Sequence, residues 1–520
     1  MSHARRSLWL WGGLAVLVAG TRALDPWGDR GMLNVLTQAA FLLGLVVQLG
    51  WHVRRRELSL GRRLAVPALF VALVAFVALF FPLAGFSGEM VPRFRARFAR
   101  PARAPAPTRG SALVPALGEP GPGDYPQFLG PTRDQRLAGP ALAHGADARA
   151  HLRWRRPIGS GWSACALRNG VGVTLEQDEA GQHALAFALA DGATLWRTRI
   201  DEPFEHGLGG EGPRATPTIA AGRVFAQSAW GVLVALDGAS GAELWRHDLV
   251  REFGLERARE AELAQYGRAS SPLVVGARVI VPAGGDPEGA RAGLAAFEAA
   301  SGALLWTSPA RHFSYATPSL GRLHGREVVL AVNEDTLSAH TLESGALLFE
   351  HPWHGRTSGD ASASQALVLD DEHVFVSKGF GVGAALLRIS QQDGQLVPSV
   401  VWHAPRLLRT QFTNVVVEGF FVYGLDDGFL ECVELATGAR RWKEGRYGHG
   451  QILAVGDTLL VLAEDGTVSA VALDPERENE LRWSFQALEG KCWAHPALAG
   501  NLLVVRNAEE CAAWELPLAP

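Results

Sequence analysis

Two grains of hydrophobicity divide the chain. In the first ninety residues the apolar positions run together, as Leu8 to Gly20, Met32 to Trp51 and Leu64 to Phe86. The second and third runs are each about the twenty residues a helix needs to cross a bilayer core, and the first is short for one. From about residue 150 onward the runs shrink to a few residues bounded by Gly, Asp or Asn, the pattern of strands joined by tight turns. Between these regions, 91–123 is rich in Pro, Ala and Arg and predicts an extended tether. The expected layout is a membrane arm over 1–90 with helices near 7–21, 32–52 and 64–86, the linker, and a β domain over 124–520.

The β region repeats itself. In residues 214–245, Ala215-Thr216-Pro217-Thr218-Ile219, Val224-Phe225-Ala226-Gln227, Leu233-Val234-Ala235-Leu236 and Glu243-Leu244-Trp245 read as a four-stranded meander, the unit of a propeller blade. Its ending, Asp237-Gly238-Ala239-Ser240-Gly241-Ala242-Glu243-Leu244-Trp245, returns as Ser301-Gly302-Ala303-Leu304-Leu305-Trp306 and Thr437-Gly438-Ala439-Arg440-Arg441-Trp442. A phrase recurring every 40–60 residues or so means one supersecondary unit repeated about an axis. Gly241, Gly302, Gly345 and Gly438 suit the positive φ of the third hairpin, and the terminal aromatic suits packing between adjacent blades.

Closing aromatics at Trp196, Trp245, Trp306, Phe349, Trp402, Trp442 and Trp483 mark seven blades. A last meander from Cys492 to Trp514 stops one strand short, and Leu152-Arg153-Trp154 supplies the missing strand from the other end. Pairing the two termini predicts an all-β, eight-bladed propeller without an open edge, preceded by the α-helical membrane segment. An open solenoid is the alternative, and it leaves the Trp154 strand without a partner.

Charge orients the arm and excludes one class of partner. The formal net charge of -4 gives no overall field for nucleic acid. Arg5 and Arg6 at the start, and Arg54, Arg55, Arg56, Arg62 and Arg63 after the second run, place those segments in the cytoplasm and everything after Phe86 on the far side. The first run has a second reading, a signal peptide cleaved near Thr21-Arg22-Ala23, which leaves that orientation unchanged. Arg93, Arg95, Arg97, Arg100 and Arg103 run against the rule and would suit anionic head groups. The expected location is a bacterial inner membrane, multi-pass, with the propeller on the periplasmic side. No CxxC pair occurs among Cys165, Cys432, Cys492 and Cys511; each is expected to be an inert buried thiol, with a meeting of Cys492 and Cys511 in one repeat as the alternative.

The phrase of Ser/Thr-Gly, apolar residue and Trp, after a strand ending in Leu-Asp or Leu-Glu, resembles the pyrroloquinoline-quinone (PQQ) repeat. That repeat builds the quinoprotein dehydrogenases and the outer-membrane assembly lipoprotein BamB. Asp124-Tyr125-Pro126-Gln127-Phe128-Leu129-Gly130-Pro131-Thr132-Arg133-Asp134 resembles the D-W-P-Q-F-R-G-P-x-R-D opening of bacterial PQQ-binding-like β-propeller repeat proteins. The resemblance covers roughly 124–516 and implies a fold and a compartment, not a reaction. An Ala/Glu/Arg-rich insertion, Leu255 to Gln265, reads as a short helix on one face of the ring.

Residues at or just before the first strand of each blade should line the funnel: Trp162, Arg214, Arg268, Tyr315, Asp360, Gln411, His449 and His495. This mixed, aromatic and basic set suits an anionic or planar ligand. The tryptophans Trp154, Trp196, Trp245, Trp306, Trp402, Trp442 and Trp483 read as structural. No HExxH, Walker loop, CxxC zinc pair or nucleophile elbow occurs, so neither a catalytic set nor a metal site is assigned. Two functions follow. One is a membrane-anchored binding or scaffold module, without cofactor, that meets a protein on its rim or a small ligand. The other is a PQQ- and calcium-dependent alcohol or sugar dehydrogenase delivering electrons to membrane quinone. The resemblance implies calcium ligands, a carboxylate base and planar stacking surfaces for the second, and of these only Asp360 offers a base.

Overall fold

A computed structural model describes residues 3–24, 29–98, 117–118, 121, 123–145, 147–285, 291–309, 313–355 and 361–520. The chain falls into two compact units, residues 1–101 and 102–520. Most of the tether, and Asp360 among the candidate site residues, lie outside the described residues.

The first unit is built on three helices, α1 (His3–Leu24), α2 (Arg30–Val53) and α3 (Leu60–Phe80), each long and apolar enough to cross a membrane. Asp29 caps α2 by accepting the Met32 N–H. Gly44 lets α1 and α2 come close, since a Cβ there would lie 2.8 Å from both Leu14 and Trp11. The third apolar run, expected to stay helical to residue 86, stops at Phe80 because Pro82 disfavours the helical conformation for the residue before it. Leu83–Phe86 pairs with Pro92–Phe94 as a short hairpin, so the start of the expected tether is ordered.

The second unit is the eight-bladed propeller. Its sheets begin with the inner strands Ala166–Arg168, Thr218–Ala220, Leu273–Val275, Ser319–Leu323, Leu367–Val368, Val416–Glu418, Gln451–Val455 and Ala497–Ala499, for blades 1 to 8. Each blade continues outward through antiparallel hairpins in chain order. Blade 8 takes its outer strand from the beginning of the domain: His151–Pro157 pairs with Glu510–Glu515, with Trp154 opposite Ala513.

Two repeated contacts join the blades. On the outside, each tryptophan N–H donates to a backbone carbonyl of the next blade's third turn. These are Trp154 to Leu189 (2.6 Å), Trp196 to Gly238 (3.0 Å), Trp245 to Ala299 (3.1 Å), Trp306 to Leu342 (3.2 Å), Trp402 to Leu435 (2.8 Å) and Trp442 to Pro475 (3.0 Å). Blade 8 has no such turn because its outer strand comes from elsewhere, and Trp483 donates instead to Ala143 at 2.9 Å. On the inside, the backbone just before four of the inner strands donates to a side chain of the next blade: Ala164 N–H to Thr216, Thr216 N–H to Ser271, Ser271 N–H to Thr317, and Gln365 N–H to Asn414. These bonds satisfy backbone groups that would otherwise be buried unpaired at the crowded axis.

All four cysteines are free and buried. Cys511 meets Cys165 across the junction of blades 8 and 1, not Cys492. The reason is position: Cys511 lies on the third strand, which faces the neighbouring blade, whereas Cys492 precedes the inner strand with its Sγ 3.8 Å from the Gly490 carbonyl.

Candidate functional site

One end of the axial channel is closed by the chain itself. In an antiparallel meander the first and third turns share one face, and the second turns and lead-in segments share the other. The chain arrives on the first-turn face, where the Leu117 carbonyl accepts the Gly222 N–H and Asp124 accepts the Asn169 N–H. It then runs along the inner strands. Tyr125 exchanges both backbone bonds with Leu167, at 2.9 and 2.7 Å, and the Pro126 carbonyl accepts from Ile219. Arg133 donates to the Pro272 carbonyl at 2.9 Å, and the Gln365 side chain donates to the Arg133 carbonyl. Arg136 pairs with Glu418, and Arg136–Leu137 adds a parallel strand beside Ala454–Val455. With Tyr125 ring-stacked on His495, this plug touches blades 1, 2, 3, 5, 6, 7 and 8. The eleven-residue opening that resembled a family signature is therefore a channel filler. Within those eleven residues the contacts reach blades 1, 2, 3, 5 and 8, and Gln135 to Leu137 add blades 6 and 7.

The opposite face carries the candidate site. Trp162, leading into blade 1, donates its N–H to the Gly209 carbonyl at 2.8 Å and lies 5.0 Å, centroid to centroid, from Trp493, which leads into blade 8. Phe412 of blade 6 packs 5.0 Å from Trp493 and 5.5 Å from His449 of blade 7. Lys491 sets its ammonium over both indoles, 3.7 Å from the Trp493 centroid and 4.8 Å from that of Trp162. Buried Glu464 anchors the group, accepting the Trp493 indole N–H at 3.1 Å and the His449 backbone N–H at 3.2 Å. The cluster continues through Arg214, which donates to the Gly210 and Gly212 carbonyls and stacks over Phe204 at 5.2 Å. Beyond it, Tyr266 lies 4.8 Å from His206 and 5.5 Å from Tyr315. Desolvation pulls the Arg214 guanidinium down to about 10 and pushes Tyr315 up to about 12, so one stays cationic and the other neutral at physiological pH. The result is a half-buried aromatic surface carrying two cations.

The sequence-derived funnel set therefore separates. Trp162, Arg214 and Tyr315 fall in this mouth, and His449 lies buried against Phe412 behind it. Gln411 lies beside them but is buried with a left-handed φ of +48°, against Gly379. Arg268 does not line the funnel: it is buried, donates to Glu260 at 2.7 Å and to the Ala283 carbonyl at 2.7 Å, and stacks over Phe313. The insertion explains this, because its helix (Arg257–Leu263) brings Glu260 down onto that arginine. His495 belongs to the plug. Its Nδ1 lies 2.7 Å from the Pro496 carbonyl and Nε2 2.9 Å from the Gln135 side-chain amide, and burial lowers the imidazole to about 4. Sequence reasoning missed Phe412, Tyr266, Lys491, Trp493 and Glu464, because it took one residue per blade while the lead-in loops contribute several. Lys491, one of only three lysines and two residues from a tryptophan, was the available signal.

A family model described as outer membrane protein assembly factor BamB matches residues 180–444, half of the chain. The chain belongs to this family. It is 24% identical over 319 residues to the BamB of Shewanella oneidensis, covering 58% of this chain and 74% of that protein. It is likewise 24% identical over 309 residues to the BamB of Moranella endobia, covering 57% and 74%. Among solved structures, a europium-containing methanol dehydrogenase superposes with a TM-score of 0.58 at 11% identity, over 78% of this chain and all of that one. The quinohemoprotein alcohol dehydrogenase of Comamonas testosteroni gives 0.52 at 11% identity, over 76% and 81%. At such identities the likeness shows a shared propeller fold.

The described residues do not fit a quinone held with calcium. A hard cation needs several converging oxygens, and four buried carboxylates on this side are already engaged: Glu464 by Trp493, Glu260 by Arg268, and Asp426 and Asp427 by Arg409. Among the described residues no group of three or more His, Cys, Asp or Glu converges. Trp162 and Trp493 are tilted by 47° and in contact, with Lys491 across them, so they do not form two parallel walls for a flat ring.

Proposed function

We propose that this protein is a membrane-tethered binding module whose open mouth docks a segment of a partner polypeptide, with the propeller outside the inner membrane. The carrying observation is the cluster of Lys491, Trp493, Trp162 and Phe412, drawn from blades 1, 6 and 8 at the face opposite the plug. Half-buried aromatic and cationic side chains of this kind dominate binding energies where a partner covers them, and Trp, Tyr and Arg are the residue types enriched at such centres. The two cations lie over rings and carbonyls, where each could meet a carboxylate or aromatic group of a docking chain. Membership of a family of assembly factors supports a partner that is a protein. The three apolar helices and the arginines at 5–6 and 54–63 support an inner-membrane anchor with the propeller on the periplasmic side.

The test is site-specific photocrosslinking in intact cells, with a photoreactive phenylalanine placed at position 412 or, as a control, at Leu305 on the outer edge of blade 3. A discrete protein adduct from 412 that disappears in a Trp493→Ala background supports the reading. Adducts from 305 alone, or none from 412, overturn it.

A further inference from the structure

Blade 8 meets blade 1 across a row of three buried side chains. Cys511 stands between Arg506 and Arg156 in the sheet of blade 8, in register with one on each side. Side chains paired in this way share one face of a sheet. That face looks onto blade 1. Arg506 donates to the Thr174 hydroxyl at 3.1 Å and the Leu175 carbonyl at 2.6 Å, and Arg156 to the Gly192 carbonyl at 2.6 Å and the Thr194 hydroxyl at 3.1 Å. Cys165, directly before the inner strand of blade 1, belongs to the same packed core and sets its thiol against that of Cys511. Both thiols are sealed, at 1% and 0% exposure.

The charge around this pair is one-sided. Among the described residues the two guanidinium groups hydrogen-bond only carbonyl and hydroxyl oxygens, with no carboxylate bonded to either. Buried positive charge favours a thiolate, the form of cysteine that attacks a disulfide. The two sulfurs are also unlike. The hydrogen bond from Cys511, helped by Arg506, holds the Cys165 thiol below its ordinary range in spite of burial. The same bond, together with burial, pushes Cys511 up. Cys165 is therefore the attacking sulfur and Cys511 the one that keeps its proton longer.

We propose that Cys165 and Cys511 form a disulfide that latches the ring across the joint where its two ends meet. The Cys165 thiolate attacks one sulfur of an oxidant disulfide, that of oxidised glutathione or of a thiol–disulfide oxidoreductase, and expels the other as a thiolate. Cys511 then loses its proton and attacks the Cys165 sulfur, which expels the second thiolate. Two electrons and two protons pass to the oxidant, whose disulfide becomes two thiols while the two protein thiols become one bond. Both sulfurs are sealed once the blades meet, so the exchange takes place while blades 8 and 1 are apart. The latch is separate from the mouth and stands whether or not a polypeptide docks there.

The experiment uses the full chain, purified with reductant in nonionic detergent. It is moved into oxidised glutathione and held a few degrees below its unfolding midpoint, where the joint opens. The sample is then quenched in acid, denatured, alkylated and digested without reductant for mass spectrometry. A peptide pair joining Cys165 to Cys511 should appear, with Cys432 and Cys492 alkylated. The unfolding midpoint should rise by about 4 °C and return with dithiothreitol. Cys165→Ala should lose both the link and the rise, and Cys432→Ala should keep both. Four alkylated cysteines in the oxidised wild type overturn the proposal, as does a link through Cys432 or Cys492, or a Cys165–Cys511 bond that lowers the midpoint. Should Cys165→Ala not fold, the linked peptide and the reversible rise in the wild type decide alone.

Discussion

Gly241 lies flat against the indole of Trp196 in the preceding blade: a Cβ on Gly241 would sit 2.6 Å from Trp196 Cδ2 and Cε3. The glycine has φ +72° and the indole N–H donates to the Gly238 carbonyl of the same turn. The two most conspicuous letters of the repeat thus meet across a blade junction. The same contact recurs as Trp154 on Gly192, Trp245 on Gly302, Trp306 on Gly345 and Trp402 on Gly438.

Gly241→Ala therefore combines left-handed backbone strain with a steric clash. It should destabilise the propeller by about 2–4 kcal/mol in urea titrations followed by tryptophan fluorescence. Gly222→Ala provides the comparison, since Gly222 has φ +74° but open space within 4 Å of where a methyl would stand, and should cost only about 1 kcal/mol.

Trp154 holds the strand that closes the ring. It is nearly buried, edge-on to Phe187 at 5.6 Å, and tied to Leu189. Trp154→Ala should cost about 3–5 kcal/mol, as large-to-small core changes do. It should also open one joint in particular: limited proteolysis should cut within 151–157 before any other strand. Trp245→Ala, at a junction where the chain is continuous, should show a similar loss without that early cut.

The plug should loosen in acid. His495 has a folded value near 4 against 6.5 for the free group, so the native state binds fewer protons than the unfolded one. Its contribution is complete above pH 6.5 and is lost as the pH falls toward 4, on the order of 3 kcal/mol. Thermal midpoints between pH 7 and 4 should fall less steeply in His495→Gln than in the wild type.

Adding PQQ and calcium to the purified chain should leave an absorbance spectrum equal to the sum of its parts, with no dye-linked oxidation of alcohols or sugars. Micromolar uptake of the quinone would contradict a mouth built for a polypeptide.

The blade architecture was legible because it is written in local terms: turn glycines, short apolar runs and an aromatic at a fixed offset, each acting within a few residues. Even the closing strand could be read, since Trp154 stood alone without a blade of its own. The plug was not legible as a plug. Tyr125, Arg133 and Gln135 make their bonds to residues up to 370 positions away, and nothing local marks a segment destined for the inside of a ring. The mouth was half legible for a different reason. Trp162, Arg214, Phe412 and Trp493 all stand at one offset, four residues before an inner strand, but in blades 6 and 8 the neighbouring Gln411 and His495 were read in their place. Arg268 misled because its partner, Glu260, came from an insertion outside the repeat.

The plug also sets an order of events. Residues 123–137 leave the ribosome before any blade exists, yet most of their partners are made later, and Arg155 waits for Glu510 across 355 positions of sequence. Contacts of such long separation form slowly, and until the last strand arrives the chain exposes open sheet edges at both ends. A chain halted before residue 510 cannot complete the ring however many blades it has folded. The last strand to be made is thus the one that joins the two ends of the ring.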